Sequence, residues 1–552
     1  MADRYREIHA AFRWNVPRDF NIARHACTRW AGTQRTALTW EDESGARRDL
    51  SYRELQGEAN RLSNALAGLG VARGDRVALL LAQRPETIVT YLACFQMGAI
   101  AVPLSFQFGP EALHHRLADS AAKVAIVDAG TAANLEPVRP ELPELSTLIG
   151  VAGARASASI AWEETLARAS SDFTSVRTSA DDPAAIIYTS GTTGPPKGAL
   201  LAHRSLLGNL PGFEHSHDGF PQEGDVFWTP SDWAWTGGLW DALMPTLYHG
   251  CTMVGFHGRF EPERAFRLMA RHGVRNAFLV PTALKMMMKA FPSPRRHFDL
   301  KLRSLMSGGE AMGPAVFHWA REELGVTPNE IFGQTEMNYI VGNSHLEWPV
   351  RPGSMGRPYP GHRVAVIDAD GRECARGTPG EVALSTIAPD GTLDPVLFLG
   401  YWNAPAATEG KRRGEWFTTG DEATMDGDGY LWYQGRSDDV FKSAGYRIGP
   451  SEIENCLVRH PAVANAAVVP TPDATRGALV KAFVLLVAGE APSEALADSI
   501  REHVKRHLAS YQQPREIEFV EALPMTTTGK IQRRVLRERE ARRVTSSDPP
   551  TA

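Results

Sequence analysis

The chain has 552 residues, with 59 lysines and arginines against 64 aspartates and glutamates for a net charge of -5. That length exceeds one core and predicts about three or four domain-sized units; 43% hydrophobic and 22% charged residues exclude a disordered or fibrous class. The mild acidity argues against nucleic acid as the main partner, and no apolar run reaches the ~18 residues of a membrane span.

Residues 1–50 read as mixed structure with a helix near 21–30. The start carries no apolar signal region. Ser51 with Glu54 three residues on is a capping-box signature, and Gly70 suits the end of the helix that follows. Strands are predicted over 76–81, 99–104 and 123–128, alternating with helices over 86–97 and 110–120. Continuous apolar strands between helices signal a parallel sheet covered on both faces. Residues 129–182, rich in Ala, Ser, Pro and Thr, predict weak helices and a surface connection.

A buried strand at 184–187 runs into Tyr188-Thr189-Ser190-Gly191-Thr192-Thr193-Gly194-Pro195-Pro196-Lys197-Gly198. Gly191, Gly194 and Gly198 let the backbone turn tightly and aim amide hydrogens at a ligand. Ser190, Thr192 and Thr193 add hydroxyls, and Lys197 adds a positive charge. Such a loop suits a polyphosphate. Pro196-Lys197-Gly198 stands where the Walker pattern needs Gly-Lys-Ser/Thr, which excludes a P-loop NTPase.

A second alternating unit follows, with strands over 224–228, from 252, over 276–281, 302–307 and 330–332, and helices over 262–272, around 286–288 and over 314–324. Trp233, Trp240, Met286, Met287 and Met288 are expected to pack in the core. Phe332-Gly333-Gln334-Thr335-Glu336 closes a strand, at the end where open α/β sheets bind ligands. A carboxylate there suits Mg²⁺ on ATP phosphates, because that ion prefers hard oxygen donors. Short strands and Gly/Pro/Asp turns from about 350 to 437 read as a small barrel-like β subdomain. Within it Asp421, after Gly420, can accept hydrogen bonds from both ribose hydroxyls. The rest reads as a compact α+β domain: strands at 465–469 and 480–487, a helix near 493–508, a lysine on the turn Thr528-Gly529-Lys530, and a basic helical tail. The five cysteines, Cys27, Cys94, Cys251, Cys374 and Cys456, are scattered, which fits single thiols in a reducing compartment rather than disulfides or zinc.

These motifs, in this order, resemble those of the AMP-forming acyl-CoA synthetases of the adenylate-forming superfamily over nearly the full chain. The likeness is greatest to the medium-chain (butyrate-type) synthetases, through Phe20-Asn21-Ile22-Ala23, Ser443-Ala444-Gly445-Tyr446-Arg447-Ile448-Gly449-Pro450-Ser451-Glu452 and Thr528-Gly529-Lys530-Ile531-Gln532-Arg533. The resemblance implies an α/β fold: a large N-terminal AMP-binding domain of stacked αβαβα sheets with its β subdomain over 1–437, and a small mobile α+β domain over 438–552, hinged at Asp438. It implies that a carboxylate attacks the α-phosphate of MgATP to give acyl-AMP and pyrophosphate, and that the coenzyme A thiol then takes the acyl group and releases AMP.

In that reading Lys530 is the principal catalytic cation, with Glu336 and Thr335, and Thr189 and Glu336 hold Mg²⁺. Thr189, Ser190, Gly191, Thr192, Thr193, Gly194 and Lys197 hold the phosphates. Gly309, Glu310 and Ala311, with Glu330, Ile331, Phe332, Gly333, Gln334 and Thr335, frame adenine and the α-phosphate. Asp421 and Arg436 bind ribose, and Arg447 meets the phosphate side. Movement about Asp438 withdraws Lys530 and presents Ala444, Gly445 and Tyr446 to the pantetheine arm, with Arg476 at the CoA phosphates; Gln512 stands where relatives often carry a lysine. Val458, His460 and Val463 match a second cation loop of acetate-type relatives but read as an ordinary helix end.

Acetate-specific relatives carry a tryptophan where Gly333 stands, so glycine implies room for a medium-chain or aromatic acid, walled by Trp235, Leu239, Val280 and Gly309. Gly333→Trp is then expected to shorten the acyl preference. Two alternatives are a ligase that loads a carrier-protein thiol and a catalytically silent binding homologue; Lys530, Glu336 and Asp421, all present, argue against the latter. The chain is expected to act in the cytoplasm on a small carboxylic acid, ATP and coenzyme A, without nucleic acid or a membrane span. A homodimer, and a lysine acetyltransferase and deacetylase acting on Lys530, complete the expected partners.

Overall fold

The computed structural model describes residues 3–154, 159–189, 195–437, 439–443, 446–473, 477–509, 512–525 and 531–547. The chain divides into two compact units, Met1–Val364 with Ser385–Glu415, and Ala365–Leu384 with Trp416–Ala552.

The first unit is built on two large sheets. One has eight strands, ordered Gly400–Tyr401, Lys197–Ala202, Pro183–Thr189, Ile100–Pro103, Arg76–Leu80, Val124–Val127, Thr147–Gly150 and Ile160–Ala161. Its interior is parallel, as the apolar runs between helices Pro85–Met97 and Pro110–Ser120 require. Val77, Ala78, Leu79 and Leu80 are wholly or almost wholly buried. The capping box at Ser51 and Glu54 forms and opens the helix Tyr52–Gly68. Gly70 then turns the chain in the left-handed region, with φ +82°. The expected connection over 129–182 is corrected: Thr147–Gly150 and Ile160–Ala161 extend the sheet. Strands of four and two residues are too short to show a periodicity.

The other sheet has nine strands, ordered Arg357–Pro358, Asn338–Gly342, Pro328–Gln334, Ser304–Gly308, Asn276–Phe278, Val226–Trp228, Thr252–His257, Thr36–Asp42 and Arg47–Ser51. The N-terminal strand Thr36–Asp42 lies parallel to Thr252–His257, a pairing no local pattern signals. The helix expected near 21–30 is Ile22–Ala26, capped by the Asn21 side chain, followed by a 3₁₀ turn at Thr28–Trp30. Trp233, Trp240 and Met287 are buried as expected, but Met286 is 45% exposed. On helix Pro281–Ala290 the buried stripe runs through Ala283, Leu284 and Met287, which turns Met286 to solvent.

In the second unit, Val364–Ile367, Gly380–Ser385, Trp416–Met425 and Leu431–Arg436 belong to one sheet. Beyond it, Val463–Asp473 and Gly477–Leu486 form an antiparallel pair, with Glu516–Phe519 parallel to the latter. Ile453, Leu457, Val468, Val484, Ile500 and Val504 pack helices Pro450–Leu457 and Glu494–His507 onto one face. Ala467, Val469 and Phe483 on the other face meet Leu536 of helix Arg533–Ser547. Lys481, 3% exposed, is held between Glu540 at 2.7 Å and Glu518 at 2.8 Å; a buried ammonium requires such partners. Arg533 bridges Asp439, at 3.2 Å, and Glu454. Among the described residues no helix is long and apolar enough to cross a membrane.

Candidate active site

Strand Pro183–Thr189 leaves its sheet at Thr189 and returns as Lys197–Ala202, with Thr189 opposite Lys197 in register. The Thr189 hydroxyl donates to the Lys197 carbonyl at 3.4 Å, closing the neck of the glycine-rich loop. Ser190, Gly191, Thr192, Thr193 and Gly194 lie outside the described residues. The neighbouring strand Gly400–Tyr401 pairs with Lys197–Ala202 and sets the Tyr401 ring 5.7 Å from the Lys197 ammonium, a cation–π distance. The Tyr401 hydroxyl donates to Glu336 Oε1. Two motifs far apart in sequence, the loop and Phe332–Glu336, are therefore joined through a tyrosine. Sequence reasoning missed Tyr401, because Gly400-Tyr401-Trp402 carries no charge or spacing signal of its own.

The carboxyl ends of the parallel strands Ser304–Gly308 and Pro328–Gln334 bring Gly309, Glu310 and Ala311 beside Glu330–Gln334. This is the edge where open α/β sheets bind ligands. Gly309 has φ +88°, a conformation a side chain would strain. Glu330 accepts the Met312 backbone N–H at 3.1 Å and so ties the two segments. Burial pushes its carboxyl up to about 7. Glu310 accepts the Thr282 hydroxyl at 2.7 Å.

The Thr236 hydroxyl donates to Thr335 Oγ1 at 3.1 Å, which joins Phe332–Glu336 to the expected acyl wall. Trp235 stands edge-on to Phe108 at 5.8 Å, Leu239 is fully buried, and Val280 is half-buried at the start of helix Pro281–Ala290. The geometry at Gly333 corrects the expected effect of tryptophan there. Gly333 pairs with Tyr339, and a Cβ on it would stand 1.7 Å from the Asn338 carbonyl oxygen. A side chain at 333 is aimed into the neighbouring strand, not into open space.

In the second unit, adjacent strands place Asp421 opposite Arg436. Arg436 Nη1 donates to Asp421 Oδ2 at 3.1 Å, and the Tyr433 hydroxyl to Oδ1 at 3.3 Å. Gly420 is obligatory here: it has φ +76°, and a Cβ on it would lie 2.9 Å from the Arg436 guanidinium. Tyr446 and Arg447 are placed as backbone in strand Tyr446–Ile448, paired with Phe441–Ser443. Gln512 is buried and donates to Glu452 at 2.5 Å. Val458 caps helix Pro450–Leu457, and His460 meets the Ser499 hydroxyl at 3.1 Å, in keeping with a helix end. Asp438, Ala444, Gly445, Arg476 and Lys530 lie outside the described residues.

Two paired strands that flank a glycine- and hydroxyl-rich segment, with Lys197 linked through Tyr401 to the buried Glu336, mark a nucleotide-phosphate-binding α/β enzyme. The chain belongs to the family of AMP-binding enzymes: that family's profile matches residues 24–402, and the profile of the AMP-binding enzyme C-terminal domain matches residues 452–530. It is 35% identical over 530 residues to an uncharacterized acyl–CoA ligase of Bacillus subtilis (strain 168), covering 95% of this chain and 97% of that one. It is 34% identical over 538 residues to the mitochondrial acyl-coenzyme A synthetase ACSM4 of Rattus norvegicus, covering 95% and 91%. Among solved structures, the anthranilate CoA ligase AuaEII in complex with anthranoyl-AMP superposes with a TM-score of 0.86 at 30% identity, covering 96% of this chain and 99% of that one. This chain is accordingly an AMP-forming acid–thiol ligase, which activates a carboxylic acid with ATP through an acyl-AMP and transfers the acyl group to coenzyme A.

Proposed function

We propose that the acid is a medium-chain or aromatic one, that the residues described above divide between the two half-reactions, and that Asp438 is the hinge between domains spanning 1–437 and 438–552. The observation that supports the phosphate assignment is the contact series Lys197–Tyr401–Glu336. Bringing a carboxylate onto a polyphosphate sets like charges together. At ~4 Å and an effective dielectric near 20, one such pair repels by about 4 kcal/mol. Lys197 and the loop amides hold the β- and γ-phosphates and then the leaving pyrophosphate. Lys530 spans the attacking carboxylate and the α-phosphate. Asp421 and Arg436 hold the ribose, and 309–311 with 330–335 hold the base. Residues 444–446 guide the pantetheine thiol and Arg476 meets the CoA phosphates.

Thr189 Oγ1 and the Glu336 carboxylate are hard oxygen donors that fit Mg²⁺; the ion, when bound, neutralises phosphate charge. Tyr401 donates to Glu336 Oε1 and so orients the carboxylate that would hold the ion. Tyr401→Phe is therefore expected to raise the Mg²⁺ concentration needed for half-maximal exchange by about tenfold, the usual scale for losing a partner that orients a metal ligand. The KM for the acid should stay unchanged. An Mg²⁺ titration of the variant checks this. The acid assignment is supported by Gly333, an exposed glycine where acetate-specific relatives carry tryptophan. Scattered thiols, all free, fit a cytoplasmic setting.

Carboxylate-dependent ATP–pyrophosphate exchange, followed by AMP release with and without coenzyme A, tests the whole reading. Exchange with hexanoate-to-decanoate acids or benzoates, and CoA-dependent AMP release, are expected. Exchange without CoA turnover would transfer the assignment to a carrier-loading ligase, and no exchange with any acid would overturn it.

A further inference from the structure

Six residues beyond Trp235 stands a buried carboxyl with an oxygen that has no partner among the described residues. Leu239–Leu243 form a single π-helical turn, a geometry that recurs at functional sites. Asp241, its middle residue, is 7% exposed. Its Oδ1 is buried without a hydrogen-bond partner among the described residues. Its Oδ2 lies 3.9 Å from the position a Cβ on Gly237 would take. Gly237 is half-exposed and adjoins Thr236, whose hydroxyl reaches Thr335. The carboxyl therefore lies between Gly237, on the expected acyl wall, and Tyr339, whose strand pairs with Gly333.

Two more buried polar side chains adjoin this turn, Asn209 and Tyr339, and they hydrogen-bond each other. Asn209 uses its Nδ2 on the carbonyl of Trp240, the residue before Asp241, at 2.6 Å. Tyr339 pairs with Gly333; burial, and after it the nearby Asp241 carboxyl, pushes its hydroxyl up. Burial likewise pushes the Asp241 carboxyl up, with no cation to oppose it. A pocket for a plain hydrocarbon gains nothing from such a group, because a buried polar atom left unpaired opposes both folding and binding.

We propose that Asp241, with Tyr339 and Asn209, receives a hydrogen-bonding substituent, an amine or a hydroxyl, carried by the acid at the end remote from its carboxylate, a proposal that rests on Trp235, Leu239 and Gly333 lining the acyl pocket. The carboxyl accepts from the substituent's N–H or O–H, and the phenol and amide complete its contacts. A site built around such a bond rejects the analogue that lacks it far more strongly than an apolar pocket rejects a missing methylene.

The test compares matched acids in ATP–pyrophosphate exchange: benzoate against meta- and para-aminobenzoate and hydroxybenzoate, and hexanoate against its ω-amino and ω-hydroxy forms. The wild type is expected to favour a substituted acid by at least about tenfold in kcat/KM. Asp241→Leu should abolish or invert that ratio, while its Tm rises as an unpaired buried carboxyl is removed. Asp241→Asn, close in shape, should retain exchange and lose most of the ratio, and it decides the matter should the leucine variant fail to fold. Equal or better use of the plain acids by the wild type, or a ratio unchanged in both variants, would overturn the inference and leave the ligase reading standing. No exchange with any acid would instead strike at that reading.

Discussion

Lys530→Ala is expected to abolish adenylation and spare thioester formation. Carboxylate-dependent exchange should fall on the order of 10²–10³-fold or more, the range seen when one group that stabilises transition-state charge is removed. The reason is local to the first half-reaction. There a carboxylate, already an anion, approaches a phosphate chain, and the charge concentrates at the α-phosphorus. In the second half-reaction a thiol attacks a carbonyl and AMP departs, so a cation between carboxylate and phosphate has no comparable work. Coenzyme A transfer from supplied acyl-AMP should therefore stay within a few-fold of wild type. Exchange and single-turnover thioesterification, measured on one preparation, check the split; loss of both half-reactions would remove Lys530 from the assigned role. Acetylation of Lys530, which removes the same charge, should reproduce the same split. Lys197, engaged with the Tyr401 ring, belongs to the leaving pyrophosphate in this scheme, so Lys197→Ala should do less.

Gly333→Ala should harm the enzyme about as much as Gly333→Trp does. A Cβ at 333 would stand 1.7 Å from the Asn338 oxygen and 2.3 Å from Tyr339 Cα. Both are backbone atoms, so no rotamer change relieves the contact. The pairing already shifts register between Phe332 and Gly333, and Asn338 sits at φ 49°, so the hairpin has little room to adjust. Forcing an atom into such a space costs about 1–3 kcal/mol of stability. The turn that must move carries Thr335 and Glu336, and a shift of ~1 Å in a catalytic group can cost on the order of 10²-fold in rate. Urea unfolding and kcat/KM across chain lengths would show both losses. An alanine variant as stable and active as wild type, with a tryptophan variant that merely prefers acetate, would restore the pocket-plug expectation.

Much of the site was legible because its signals are local. Three glycines, three hydroxyls and a lysine over residues 190–198 predict a phosphate loop from composition alone. Ser51 and Glu54 form their capping box within one turn, and buried strands between helices imply a parallel sheet. The roles of Lys530 and of 444–446 also came from motif order, through the resemblance. Other features depend on which distant segments become neighbours. Thr36–Asp42 finds its partner in Thr252–His257, and Asp421 meets Arg436 across a strand pair. At Gly333, the resemblance suggested that a side chain would plug the pocket, whereas strand pairing aims it at Asn338.

Sequence by itself determined the kinds of chemical group, their order and the elements that carry them, since these follow from side-chain type and short-range periodicity. Only the tertiary structure decided that Tyr401 bonds to Glu336 and that Asp241 Oδ1 is buried without a partner among the described residues. Register and packing between remote segments set those contacts and the solvation of each group, and neither is encoded in spacing along the chain.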